Sequence, residues 1–319
     1  MNTVQTVFGG QGADSRDFLS LLTLFMAVTS FVYLLVIGFL AAAIARRRRH
    51  AQTVETGEHQ RASPGMRAIL IGWVGLIATG LAVLTIFSFL TDRSMAQNSA
   101  RPALEVEITA RQWWWDVTYY GADASQTLRT ANELHLPLDT PVHITLKSQD
   151  VIHSFWVPNL AGKQDLIPGR ETDITLHPKQ AGLFRAQCAE FCGVQHANMA
   201  LDVTVESRRE FLGWYRASLQ PAQAPKTPLQ LAGYNYITSR ECAMCHNVEG
   251  TSASSHFGPD LTHLASRRSI AAGTLPMKRG NLYGWIADPQ AQKPGNKMPT
   301  LGLKPEELHA VVAYLETLK

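Results

Sequence analysis

Two stretches without a charged residue, 18–45 and 68–91, constrain this chain more than any other feature in it. About 20 apolar residues suffice to cross the hydrocarbon core of a bilayer, so both stretches are predicted to be transmembrane helices forming a hairpin over 18–91. The first is longer than the apolar core of a secretory signal, and Arg46, Arg47, Arg48 and Arg49 follow it as a stop. Between the two, 46–67 carries six arginines against two glutamates. Short loops rich in Lys and Arg stay cytoplasmic, which places 1–17 and everything after 91 outside. A basic loop that binds anionic headgroups gives the same orientation. Neither span holds Asp, Glu, Lys, Arg or His, the groups that proton-moving membrane proteins need. Any proton pumping is therefore expected in a partner subunit.

At 319 residues the chain is long enough for more than one further domain. The overall charge of +3 is made up of +4 in the loop 46–67, −3 over 92–220 and +2 over 231–319, the rest of the chain being neutral in sum. Neither of the last two segments has the clustered cationic face that phosphate binding needs, so nucleic acid is not an expected partner. The small opposite charges permit docking between the two segments without establishing it.

After 92 the apolar pattern takes period two, the signature of half-buried strands. Leu104, Val106, Ile108 and Ala110 alternate with Glu105, Glu107 and Thr109, and similar runs recur at Val142/Ile144/Leu146 and Leu201/Val203/Val205. Short strands at regular spacing imply an antiparallel sandwich or barrel over 92–219.

The four cysteines fall in two close pairs, Cys188/Cys192 and Cys242/Cys245, which suggests cofactors more than a disulfide framework. Around the first pair, Cys188, Cys192, His196 and Met199 put two thiols, an imidazole and a thioether in one short segment. Sulfur in that proportion favours copper over hard, oxygen-seeking ions. Zinc remains open to Cys and His alone, but Met199 argues against it. Upstream, His153 offers a second imidazole at a strand end.

These residues resemble the copper A domain of cytochrome c oxidase subunit II: a distant His, then Cys-x-Glu-x-Cys-x3-His-x2-Met. The resemblance covers roughly 18–215 and implies a cupredoxin-like fold. It further implies that Cys188 and Cys192 bridge two copper ions, that His153 and His196 bind one each, and that Met199 and the Glu190 carbonyl complete the sites. By the same resemblance the Glu190 side chain reaches a magnesium ion shared with subunit I. The segment Arg111-Gln112-Trp113-Trp114-Trp115 is similar to the family's aromatic stretch, which makes Trp113 the point where electrons arrive. Trp114 and Trp115 are read as packing residues.

A proline-rich segment, 220–230, reads as a semi-extended tether. Beyond it, Cys242-Ala243-Met244-Cys245-His246 is the c-type haem attachment pattern, with both thiols bonded to the porphyrin and His246 on the iron. Met298, in Pro294-Gly295-Asn296-Lys297-Met298-Pro299, is the expected sixth ligand, ahead of Met277. Gly258-Pro259-Asp260-Leu261 resembles the loop that backs the haem histidine in cytochromes c. A final helix from Pro305, with Leu308, Val311, Val312 and Leu315 on one face, is expected to pack on the first helix of a small all-α domain over 231–319.

The combined resemblance implies a relay in a terminal haem-copper oxidase. Electrons pass from a c-type cytochrome or an upstream respiratory complex to haem c, then to copper A, then to subunit I, which reduces oxygen to water and pumps protons. Subunit III is a further expected partner. The expected location is the bacterial inner membrane, crossed twice, with the N-terminus and both redox domains periplasmic. A quinol oxidase subunit would lack the copper ligands, and a nitrous oxide reductase would need a further His-rich domain. A copper A nitric oxide reductase subunit stays open, because the difference there lies mostly in the partner.

Overall fold

The computed structural model describes residues 5–49, 64–98 and 103–319, so the loop expected over 46–67 lies largely outside the described residues. Two helices, α1 (Ala13–Arg49) and α2 (Pro64–Asn98), take up the charge-free stretches and overrun them at both ends. At ~1.5 Å per residue each spans roughly 50–55 Å, more than the ~30 Å hydrocarbon core. Leu34, Ile71 and Phe89 are among many large apolar side chains exposed along them, as expected of helices surrounded by lipid. Their contacts run antiparallel. The Ser94 hydroxyl donates to the Asp17 carboxylate at 3.1 Å, Gly80 approaches Val28, and Phe39 meets Trp73 edge-on with ring centres 5.9 Å apart. This hairpin, Arg16–Gln97, is one compact unit, and the remainder of the chain forms a second.

In the second unit, period-two alternation becomes strands β1 (Leu104–Arg111), β2 (Trp114–Tyr120), β3 (Leu128–Ala131), β4 (Glu133–Pro137), β5 (Val142–Ser148), β6 (His153–Trp156), β7 (Lys163–Leu166), β8 (Thr172–Leu176), β9 (Gly182–Cys188) and β10 (Ala200–Glu206). They form two five-stranded sheets, ordered β3-β2-β1-β5-β8 and β4-β10-β9-β6-β7. All pairs are antiparallel except β1 with β5 and β4 with β10. Val106, Ile108, Ile144 and Leu146 of one sheet share a core with Leu134, Leu136, Leu201 and Val203 of the other. Each such buried aliphatic side chain contributes about 1.5–3 kcal/mol relative to exposure.

Because α2 continues through Asp92 and Arg93 to Asn98, the sandwich starts later than the expected 92. Residues 5–15 belong with it. The Asn159 carbonyl accepts from the Gln11 and Gly12 amides and from the Ser15 hydroxyl, at 2.9, 3.1 and 2.7 Å. The segment before α1 is therefore part of the same compact unit as the sandwich.

Helix α3 (Arg208–Ser218) starts in a capping box, Ser207 with Glu210, and lays Phe211, Trp214 and Tyr215 against Tyr119. The expected tether differs in the structure. Residue 222 donates its amide to the Glu249 carbonyl at 2.9 Å, Gly250 sits over Pro221, and His263 Nε2 meets the Gln220 carbonyl at 3.0 Å. Helix α4 (Pro228–Ser239) already begins at Pro228, capped by Thr227. Proline content sets a linker's stiffness but does not determine its partners, and this one is strapped to the domain it precedes.

That domain adds a short ribbon, β11 (Ser269–Ile270) with β12 (Leu275–Pro276), to the expected final helix, here α7 (Pro305–Leu315), and places two further helices, α5 (Arg279–Ala287) and α6 (Pro289–Gln292), before it; it is therefore helical, as expected, but not purely so. Helix α7 turns Val311, Val312 and Leu315 inward and crosses α4 at Gly233, where an added Cβ would lie 2.0 Å from the Ala310 carbonyl oxygen.

Candidate metal centre and haem cavity

Strand β6 begins at His153, β9 ends at Cys188, and the register Phe155↔Cys188 sets the two termini side by side. The loop after Cys188 folds back through a tight turn at His196–Asn198 into β10. The two thiol sulfurs, of Cys188 and Cys192, are thereby 3.7 Å apart. His153 Nδ1 is 3.8 Å from Cys188 Sγ, and the Glu190 carbonyl oxygen is 3.1 Å from it. On the other side, His196 Nδ1 and Met199 Sδ lie 3.6 and 3.9 Å from Cys192 Sγ. All six residues expected as ligands come together. Two central sulfurs, each with its own imidazole, make a donor set that fits a pair of soft ions sharing thiolates, and it offers too little oxygen for a hard one.

The Cys188 thiol is drawn well below its ordinary range, first by the Cys192 S–H and then by His153, while sharing with Cys188 pushes Cys192 up. One thiolate is thus favoured at neutral pH, and metal binding would displace the second proton. Asp150 went unassigned in the sequence. It accepts from His153 Nε2 and, at 2.7 Å, from the Gln112 amide. Burial alone would raise its carboxyl, but these donors hold it at about 2. An Asp three residues before a candidate ligand His was the available signal.

Trp113 Nε1 and Gln112 Nε2 both donate to the Cys192 carbonyl at 2.8 Å. Gly193, at φ 111°, lies so close that a Cβ there would be 2.9 Å from the Trp113 ring. Trp115 is fully buried in the sandwich core, as a packing residue should be. Trp114 is not a core residue: it lines a cavity, with the Arg111 guanidinium 5.6 Å from its ring centre.

That cavity, of about 520 Å³, is lined by Cys242, Cys245, His246 and Met298, and its size suits one cofactor. Met277, the rival sixth ligand, is not among its lining residues and packs instead against the helical core. His246 Nδ1 is 2.7 Å from the Pro259 carbonyl, so its N–H donates there and Nε2 is left to ligate. Burial pushes the imidazole down, towards the neutral form that binds metal. Gly258 makes the close approach possible, since a Cβ would sit 2.8 Å from the His246 ring. Two cysteines, an oriented His, a Met and apolar walls including Leu282, Ile286 and Val311 fit a covalently held haem.

Gln112, Trp113 and Trp114 of the sandwich complete the cavity wall, so the two domains meet around it. The opposite charges read from the sequence are realised in specific pairs. Arg267 lies 3.4 Å from Glu133 and donates to the Thr130 hydroxyl at 3.3 Å, and Lys297 lies 3.5 Å from Asp150.

A family profile for the periplasmic domain of cytochrome c oxidase subunit II matches residues 121–207, and one for cytochrome c matches 232–319. Cytochrome c oxidase subunit 2 of Bacillus subtilis (strain 168) is 30% identical over 97% of this chain and 90% of its own length. The subunit 2 of Alkalihalophilus pseudofirmus (strain OF4) is 29% identical over 98% of this chain and 89% of its own. A crystal structure of the periplasmic domain of subunit II of cytochrome oxidase from Bradyrhizobium japonicum aligns with 38% of this chain and 96% of that one, at 26% identity and a TM-score of 0.35. Through the near full-length likeness to the Bacillus subunit, the chain belongs to the cytochrome c oxidase subunit 2 family, a family of oxidoreductase subunits, and carries a C-terminal cytochrome c domain.

Proposed function

We propose that this chain is the electron-receiving subunit of its oxidase. It takes electrons from a c-type cytochrome, or directly from an upstream respiratory complex, on its cytochrome side and delivers them to subunit I from its dithiol side. One observation carries the reading: Gln112 and Trp113 line the haem-sized cavity and also donate to the carbonyl of Cys192. The two candidate sites therefore share a wall.

Haem c and copper A, when bound, each supply a reversible one-electron couple. Cys242 and Cys245 would hold the haem covalently, with His246 and Met298 on its iron. Cys188 and Cys192 would bridge two copper ions, flanked by His153, His196, Met199 and the Glu190 carbonyl. Burial of His153, Cys188, Cys192 and Met199 excludes water and keeps these donors in one arrangement as charge comes and goes. Asp150 and Pro259 fix which nitrogen His153 and His246 present. The exposed Glu190 side chain is offered to a magnesium ion shared with subunit I.

The clamp of residues 5–15 on the sandwich and the arginine run after the first span support one topology. The chain crosses the bacterial inner membrane twice, with its N-terminus and both redox domains periplasmic. With no Asp, Glu, Lys, Arg or His in 18–45 or 68–91, oxygen reduction and proton pumping fall to subunit I, and subunit III completes the assembly.

Paramagnetic resonance and optical spectra of the purified full-length chain, matured with copper and haem, test the assignment. A mixed-valence dicopper signal beside a six-coordinate c-type haem is the expected result. A mononuclear copper signal would overturn the ligand set.

A further inference from the structure

We propose that Lys293 is a positioning residue: it latches the loop that carries Met298 to the loop that carries the copper ligands, and so sets the separation across which the chain passes electrons between its cofactors. The proposal rests on the relay reading above and adds to it a residue on the wall of the haem-sized cavity that is not among the proposed ligands.

Lys293 is 2% exposed, and lysine is almost never buried so fully without partners. Its Nζ donates to the carbonyls of Asn198, Trp113 and Ala271 at 2.7, 3.0 and 3.1 Å. An ammonium has three donors, and all three are used on backbone. These acceptors come from three separate places: the residue before Met199, the indole-bearing residue at the shared wall, and the ribbon turn of the cytochrome domain. Burial draws the ammonium down while the charge of Cys192 opposes the shift, and three carbonyl acceptors further favour the charged form.

A second feature converges on the same point. The ribbon turn holds Ala271, Ala272 and Gly273 at φ 53°, 57° and 75°, a left-handed conformation that alanine disfavours. Held that way, it presents consecutive carbonyls across the interface: Ala271 to Lys293, Ala272 to the Ala200 amide at 3.0 Å, and Gly273 to Arg185 at 3.0 Å. Gln195, next to His196, donates to the Pro294 carbonyl at 2.6 Å. Residues on both flanks of His196 and Met199 are thus tied either to the stretch that leads to Met298 or to this turn. An apolar side chain would fill the same volume. A buried cation aimed at three carbonyls instead demands that all three stay where they are, since leaving it unpartnered is costly.

The test compares Lys293→Met and Lys293→Gln with wild type in the assembled oxidase, with Gln292→Ala, at the exposed neighbouring position, as a control that leaves the latch intact. Haem-to-copper transfer is followed after photoreduction, and amide hydrogen exchange is followed over 195–200 and 271–274. In Lys293→Met, transfer is expected to slow at least about tenfold, the change that about 1.4 kcal/mol of lost docking produces. Exchange should rise in both segments while the copper and haem spectra hold. Lys293→Gln, which keeps N–H donors, should fall between, and Gln292→Ala should match wild type. Unchanged transfer and exchange in Lys293→Met, or equal effects in Gln292→Ala, would overturn the latch. Wild-type chains with both centres present but no transfer between them would sink the relay reading instead, and the exchange data would still decide whether Lys293 pins the loops.

Discussion

His153 Nε2 and Asp150 Oδ1 lie 2.8 Å apart, and this pairing turns Nδ1 of a fully buried imidazole towards the thiol of Cys188. A carboxylate behind a metal-binding histidine fixes its tautomer and ring angle, and removing such a partner typically costs about 10–100-fold in metal affinity. Asp150→Ala is therefore expected to weaken copper binding by that order while every proposed ligand remains. Competitive copper titration of the full chain measures it; wild-type affinity would show that the strand alone orients His153.

The two cofactor sites use disjoint ligands, although they share a wall. Accordingly His153→Ala or Cys188→Ser should abolish the dicopper signal and leave the haem spectrum in place, whereas Met298→Ala should keep the dicopper signal while the covalently held haem loses its six-coordinate spectrum. Copper content after metal loading, together with the haem absorption bands, separates the cases. Full copper occupancy in Cys188→Ser would remove that residue from the ligand set.

What could be read from the sequence follows from where each partner lies along the chain. Cys188, Cys192, His196 and Met199 sit in one loop, and Cys242, Cys245 and His246 in one turn, so spacing alone marked them as candidate cofactor ligands. The apolar alternation of β1, β5 and β10 was equally plain, because one face of each strand enters the core. Strand β7, with Lys163, Gln164 and Asp165, lies at a sheet edge and has no alternation to read. Lys293 was invisible for a different reason: its acceptors are backbone carbonyls, one of them 180 positions away, and carbonyls leave no mark in a sequence. Trp114 looked like packing because an aromatic beside two others carries no sign that a neighbouring domain will expose its face to a cavity.

Gly233 marks the closest approach of α4 and α7. With a Cβ placed 2.0 Å from the Ala310 carbonyl oxygen, Gly233→Ala must push the helices apart. Overpacking of this kind costs about 1–3 kcal/mol, against about 1 kcal/mol that alanine gains over glycine in helix propensity. A net loss of stability in the cytochrome domain is the expected outcome, read as a lower midpoint when thermal unfolding is followed at the haem band. Gly213 provides the contrast, since nothing lies within 4 Å of a Cβ built there. Gly213→Ala in α3 should be neutral or slightly stabilising.

Glu133 ties the sandwich to the cytochrome domain through Arg267 and also contacts His135 and Thr130. Burial on its own would raise the Glu133 carboxyl, yet these partners hold it at about 2, against an ordinary 4.5. Between those values the unfolded chain binds more protons at this site than the native one, so stability falls as pH drops. The contribution is complete above 4.5, on the order of 3 kcal/mol, and disappears as pH falls through about 2. His135 adds the opposite edge. Burial lowers its pKa, but Glu133 and Glu206 raise it further, leaving it above its ordinary 6.5. The stabilisation from its charge is present below 6.5 and is lost as pH rises through the elevated native value. This cluster should therefore hold the unit together best between roughly pH 4.5 and 6.5 and weaken on either side. Other carboxylates also titrate in acid, so the informative quantity is the stability difference between wild type and Glu133→Gln measured across pH. That difference is expected to be large near pH 5 and to shrink steadily towards pH 2. A pH-independent difference would mean that Glu133 contributes packing and hydrogen bonding, with its charge making no net contribution to holding the two domains together.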